Sequence, residues 1–119
     1  MIPIKSAREV EKMRQACRTA SDILDRVSDL VRPGISTKEI DEAAAVFMQE
    51  ECVRSAFLGY RLGHRVFPGN ICISLNDEVV HGIASQRRVQ YGRFAFRVGS
   101  TSSALHRAPT QSPPCRCPC

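Results

Sequence analysis

The sequence predicts an α+β domain in which two helices precede a set of antiparallel strands. Three observations predict it. Two amphipathic stretches, each opened by a capping-box tetrapeptide, fill residues 6–51. The apolar spacing then changes from three-and-four to two beyond Val53. Ordinary globular composition stops at Gly92. The organisation is therefore a domain over residues 1–92 and a compositionally distinct tail over 93–119, and 119 residues at 43% hydrophobic content suffice for one core.

Ser6-Ala7-Arg8-Glu9 opens the first helix, because the Ser6 hydroxyl and the Glu9 carboxylate can each satisfy an orphaned backbone N–H. Val10, Met13, Cys17, Ala20, Leu24, Val27 and Val31 then form one stripe, and Arg32-Pro33-Gly34 stops the helix. Ser36-Thr37-Lys38-Glu39 repeats the box. Ile40, Ala43, Ala44, Phe47 and Met48 supply the second stripe, which ends near Glu51. Both stripes are read as core-packing faces. Val53 to Leu58 is expected as a strand, followed by a loop punctuated by Gly59, Gly63, Pro68 and Gly69. Ile71, Ile73 and Leu75 alternate with Cys72, Ser74 and Asn76, the pattern of a strand with one face in the core. Asn76-Asp77-Glu78 turns the chain, Val79-Val80 resumes extended structure and His81-Gly82 ends it. A short strand from Phe94 to Val98 is expected at the head of the tail. The rest of 93–119 is rich in Ser, Thr, Pro, Arg and Cys and is expected to be disordered, because it cannot bury enough apolar area to offset its ordering entropy.

The net charge of +5 does not indicate nucleic-acid binding. Residues 1–78 carry eleven Lys and Arg against all twelve acids, so the excess belongs to six arginines after Glu78, scattered without stacking aromatics. No run has the length and apolarity of a membrane span or a secretory signal, and the expected location is the cytoplasm. Cys17, Cys52 and Cys72 sit singly in apolar segments, as buried reduced thiols do. Cys115, Cys117 and Cys119 lack a second ligand pair at zinc-site spacing, although a zinc-bound tail stands as a minor alternative.

The run Phe67-Pro68-Gly69-Asn70-Ile71-Cys72-Ile73-Ser74-Leu75-Asn76-Asp77-Glu78-Val79-Val80-His81-Gly82-Ile83 resembles the segment that marks type I methionine aminopeptidases. Phe57-Leu58-Gly59-Tyr60, the Lys5–Met13 opening and the Arg32–Thr37 junction match the same family in order, so the resemblance covers roughly residues 3–92. It implies the amino-terminal half of the pita-bread α+β fold. It also implies a hydrolase that removes the initiator methionine from nascent proteins, with two divalent metal ions (Co, Mn, Fe or Zn) activating a bridging water. The partner it implies is the amino terminus of a nascent peptide, with neither nucleic acid nor membrane. Carried over by position, His81 is the catalytic histidine outside the metal shell, donating a hydrogen bond to the substrate or the tetrahedral intermediate, and Gly82 leaves room for that approach. Tyr60, Phe67 and Cys72, with Phe57, line the methionine side-chain pocket, where apolar and polarisable walls suit a thioether.

The departure from the family is as informative as the match. After Gly92 the family continues with an acidic residue and a strand ending in the first metal-binding aspartate, whereas here Arg93-Phe94-Ala95-Phe96-Arg97-Val98 follows. No Asp or Glu occurs after Glu78, so the family's carboxylate ligands have no counterpart, and no metal is expected to bind at that site. The chain is therefore expected to lack catalytic competence. An out-of-frame tail accounts for the abrupt change in composition, and a natural short paralogue is the competing account. A non-catalytic module of the same fold that binds a peptide or a partner is the alternative function.

Overall fold

The computed structural model describes residues 4–91, 97–99 and 105–107. Helix α1 spans Ala7–Leu30 and α2 spans Thr37–Glu50, each behind the predicted box. The Ser6 and Ser36 hydroxyls accept the Glu9 and Glu39 N–H groups at 3.4 and 3.2 Å, and the glutamates accept back from the serine N–H groups at 2.8 and 2.7 Å. Each such cap contributes about 1 kcal/mol.

Ile23 and Val27 of α1, Ile40, Ala44 and Met48 of α2, then Ile71, Ile73, Leu75 and Val89 make one core. Complete burial of Ile40 and Ile73 contributes roughly 1.5–3 kcal/mol each. The α1 stripe is only half used. Val10 and Met13 are 42% and 46% exposed and Cys17 is exposed, so burial begins at Ala20 and includes Ile23, which lay outside the predicted stripe. The cause is where the helices cross. Arg26 ion-pairs with Glu50 and lies 3.9 Å over the Phe47 ring, so α2 covers only the last turns of α1.

Strand β1 (Val53–Ser55) is shorter than expected. The Ser55 hydroxyl accepts the Phe57 and Leu58 N–H groups at 3.0 and 3.3 Å, and this local turn bends the chain out of extended structure. The glycine-rich loop holds a hairpin that was not anticipated, β2 (Arg61–Leu62) against β3 (Arg65–Val66). Strand β4 (Cys72–Ser74) is buried on both faces rather than one, because the returning His81–Gly82 segment lies alongside it. Val79 and Val80 are not in a strand and are exposed.

The tail also differs from expectation. β5 (Arg97–Gly99) pairs antiparallel with β4, Ile73 opposite Val98, and β6 (Leu105–Arg107) pairs antiparallel with β1, Arg54 opposite His106. Ladder hydrogen bonds use backbone groups that every residue carries, so a sequence poor in apolar side chains can still satisfy the open edges of β1 and β4. The predicted strand Phe94–Val98 overlaps β5 at Arg97 and Val98. Its first three residues, and the remaining tail with Cys115, Cys117 and Cys119, lie outside the described residues.

Asp41 of α2 ties the helices to the strands. Its Oδ1 accepts the Asn70 and Ile71 N–H groups at 2.8 and 2.9 Å, and its Oδ2 accepts the Asn70 side-chain amide at 2.9 Å. Asp41→Ala should therefore cost about 3 kcal/mol in urea unfolding, because it strands buried donors. A loss below about 1 kcal/mol would show that water replaces the carboxylate. The Ser36 hydroxyl and N–H bonds hold the Glu39 carboxyl below its usual pKa. A depressed carboxyl pKa stabilises the fold above the unfolded value, and the contribution is lost as pH falls through the folded value. Glu39→Gln should therefore flatten the acid limb of a stability–pH curve below about pH 4.

Candidate functional site

The segment after β4 brings two of the predicted residues together. The Ile73 N–H donates to the Gly82 carbonyl at 3.0 Å, and the Gly82 N–H donates to the Ser74 hydroxyl at 3.1 Å. These bonds return the chain to the strand and place His81 Nδ1 3.8 Å from Cys72 Sγ. His81 is exposed, and its φ of 57° lies in the left-handed region, where a non-glycine residue costs about 1–3 kcal/mol unless its surroundings hold it. Gly82 is required by the close approach of its own backbone to β4. A Cβ there would overlap the Ile73 carbonyl oxygen and stand 2.7 Å from the carbonyl carbon.

Cys72 and His81 do not make a nucleophilic dyad. Burial, reinforced by the negative charge of Asp41, pushes the Cys72 thiol above its ordinary value, so at neutral pH the sulfur is a protonated, polarisable wall rather than a thiolate. Cys17 is exposed rather than buried, and Cys52 is half-buried and disulfide-bonded, so Cys72 alone of the three meets the expectation of a buried reduced thiol. Disulfide pairing and exposure depend on what the fold places opposite each sulfur, which an isolated Cys in an apolar segment does not reveal.

The other predicted wall residues form a second group. Phe57 and Phe67 meet with ring centroids 6.2 Å apart at 60°, within the range of tilted aromatic pairs. Backbone bonds hold Tyr60 between them: the Tyr60 N–H donates to the Phe57 carbonyl at 2.9 Å, and the Phe67 N–H donates to the Tyr60 carbonyl at 2.9 Å. Tyr60 is 61% exposed. Among the described residues no hydrogen bond or ring contact joins this group to Cys72 and His81. A cleft of about 290 Å³ opens instead between α2 and β1, lined by Met48, Val53, Ser55, Leu58 and Asn70 among others, and it includes none of the five predicted residues.

Sequence reasoning missed the residues that hold these groups in place. Asp41 positions Gly69, Asn70 and Ile71. A Cβ on Gly69 would lie 3.4 Å from Asp41 Oδ1 and 3.3 Å from Phe67 Cε1, so the Phe67 ring rests directly on this glycine. The available signal was an acidic residue at stripe spacing, since Asp41, Ala44 and Met48 share the buried face of α2. Thr37 and Ser85 form a second clasp. The Ser85 N–H donates to Thr37 Oγ1 at 2.8 Å, and Thr37 Oγ1 donates to the Ser85 carbonyl at 2.9 Å. No local pattern announces a pair 48 residues apart.

The donors among the described residues do not by themselves make up a dinuclear metal site. Among the described residues no group of three or more His, Cys, Asp or Glu is placed to hold an ion, and the sequence offers no carboxylate after Glu78. Hard divalent ions need several oxygen ligands, and the thiol–imidazole contact of Cys72 with His81 supplies none. Among the described residues no helix is long and apolar enough to cross a membrane.

Comparison with known proteins accounts for the arrangement. Residues 11–101 match the profile of metallopeptidase family M24, which carries the likeness past Gly92. The chain is 37% identical over 90 residues to a methionine aminopeptidase of Aquifex aeolicus, covering 74% of this chain and 35% of that protein. It is 38% identical over 107 residues to methionine aminopeptidase 1 of Bacillus subtilis, covering 89% and 42%. The crystal structure of methionine aminopeptidase from Rickettsia prowazekii superposes with a TM-score of 0.71 at 32% identity, over 77% of this chain and 36% of that one. The chain thus spans roughly a third to two-fifths of the length of these relatives. The two capped helices and the strands after them are accordingly an α+β part of the pita-bread architecture, and the chain belongs to metallopeptidase family M24.

Proposed function

We propose that this chain is the peptide-recognising, amino-terminal portion of a methionine aminopeptidase, and that as it stands it does not hydrolyse peptides. The observation that carries the reading is the pairing of His81 with Cys72 beside β4 in a chain without carboxylates after Glu78. In this reading residues 1–92 are the recognition domain and 93–119 a tail that departs from the family in composition, although the family profile runs on to residue 101. His81 offers an exposed ring nitrogen to the backbone of a peptide. Phe57, Tyr60, Phe67 and Cys72 contribute apolar and polarisable surface for a methionine side chain. The peptide is the amino terminus of a nascent protein, and the location is the cytoplasm.

The alternative, a non-catalytic module that binds peptides, draws support from the same contrast. The proposed recognition groups are paired, at 3.8 Å for Cys72 and His81 and 6.2 Å for Phe57 and Phe67, whereas among the described residues no ligand set for metals is assembled. Hydrolysis of a peptide bond at neutral pH needs an activated nucleophile, and the protonated Cys72 thiol does not provide one.

The purified chain, incubated with Met-Ala-Ser and Co, Mn or Fe ions, should release no methionine above the buffer rate. Calorimetric titration should show no pair of tight ion sites after the tail cysteines are blocked. Methionine release that disappears on adding a chelator would overturn the reading. Tripeptide binding without cleavage would favour the binding-module alternative over an inert fragment.

A further inference from the structure

We propose that Glu78 is a positioning residue for His81, with Arg87 holding Glu78 in place. The inference rests on the reading of His81 as the peptide contact. In the sequence, Asn76-Asp77-Glu78 is only a turn, but the Glu78 carboxylate makes contacts on three sides. Its Oε2 accepts the Leu75 N–H at 3.0 Å, closing the start of the loop that leads to His81. Its Oε1 accepts Arg87 Nη1 at 2.7 Å. The same Oε2 lies 2.9 Å from the point a Cβ on Gly82 would occupy, so the carboxylate rests against the residue next to His81.

Arg87 is itself anchored. The Thr37 N–H donates to the Arg87 carbonyl at 3.0 Å, and the Lys38 N–H donates to the Ser85 carbonyl at 2.9 Å. The first turn of α2 therefore holds the Arg87 backbone while its guanidinium holds Glu78. Apolar packing cannot do this work, because Val79 and Val80 are 74% and 62% exposed and Ile83 is 56% exposed. Polar contacts at the two ends of the loop are what keep His81 at a positive φ with its ring beside Cys72. The Glu78 and Arg87 side chains are 41% and 48% exposed, and a pair so open to water adds little to stability. Its effect is on geometry, and this separates a positioning role from an ordinary surface ion pair.

The test uses the full isotope-labelled chain, with the His81 ring resonances and a titration with Met-Ala-Ser as readouts. Glu78→Gln and Arg87→Gln should shift and broaden the His81 ring signals and weaken tripeptide binding roughly 3- to 10-fold, with the melting temperature unchanged. Arg87→Lys, which keeps the cation, should restore most of the wild-type behaviour. In a His81→Ala background, Glu78→Gln should change affinity less than about twofold, because a residue acting through His81 has nothing left to act on. Unchanged His81 signals in Glu78→Gln, or equal weakening with His81 absent, would overturn the proposal. If Glu78→Gln fails to fold, Arg87→Gln decides, since it leaves the Leu75 contact intact. If His81→Ala alone leaves binding unaltered, the reading of His81 as peptide contact is lost, while the ring signals still decide the role of Glu78.

Discussion

A single buried carboxylate holds the two halves of this structure in register. Asp41 sits on the apolar face of α2, where an acid is costly unless its oxygens are occupied, and both are: Oδ1 takes two backbone N–H groups at the entry to β4 and Oδ2 takes the Asn70 amide. Hydrophobic contact alone would allow β4 to slide along α2, since Ile71, Ile73 and Leu75 are interchangeable in kind. The directional bonds remove that freedom, and a one-residue slip would turn every side chain of β4 to the other face. Cys72 therefore faces His81, and Phe67 rests on Gly69, because Asp41 fixes where the strand begins.

The loop around His81 follows a second rule. It is exposed and carries valines turned to water, so its conformation comes from hydrogen bonds that run back to Ile73, Ser74 and the first turn of α2. Two residues other than glycine, Asn76 and His81, adopt positive φ within it. Asn accepts that geometry readily, whereas for His81 it is maintained by the bonds on either side. Strain of this kind in the family's marker segment is where a recognition group is expected. The same chain pairs Cys72 with His81 and Phe57 with Phe67 and has no Asp or Glu after Glu78, and this contrast motivates a proposal of recognition without hydrolysis.

Much of the helical layer could be read from local sequence because its determinants are local. A capping box satisfies N–H groups within three residues, and both boxes form as written. The stripes were harder to interpret, since periodicity marks a face without saying what covers it: α2 buries its stripe, while α1 leaves Val10, Met13 and Cys17 exposed ahead of its crossing with α2. Strand limits depended on competition. The Ser55 hydroxyl captured the N–H groups that an extended Phe57 and Leu58 would have offered a sheet. Similarly, the strands at 97–99 and 105–107 arise from open backbone edges on β4 and β1, a circumstance that tail composition does not encode.

For the candidate site, the sequence by itself determined the residue types and their order: a His-Gly pair after a Cys-containing strand, aromatic residues at 57, 60 and 67, and no acid beyond Glu78. These are one-dimensional facts, legible without any knowledge of the packing. Only the tertiary structure decided that Cys72 meets His81 and that Phe57 meets Phe67. It alone showed that the Ile73 carbonyl leaves no room for a Cβ at Gly82, that Asp41 bonds Asn70 and Ile71, that Thr37 bonds Ser85 and that Arg87 pairs with Glu78. The physical reason is distance along the chain. Bonds between residues 29, 48 or more positions apart depend on how helices and strands pack, and packing is a property of the whole core.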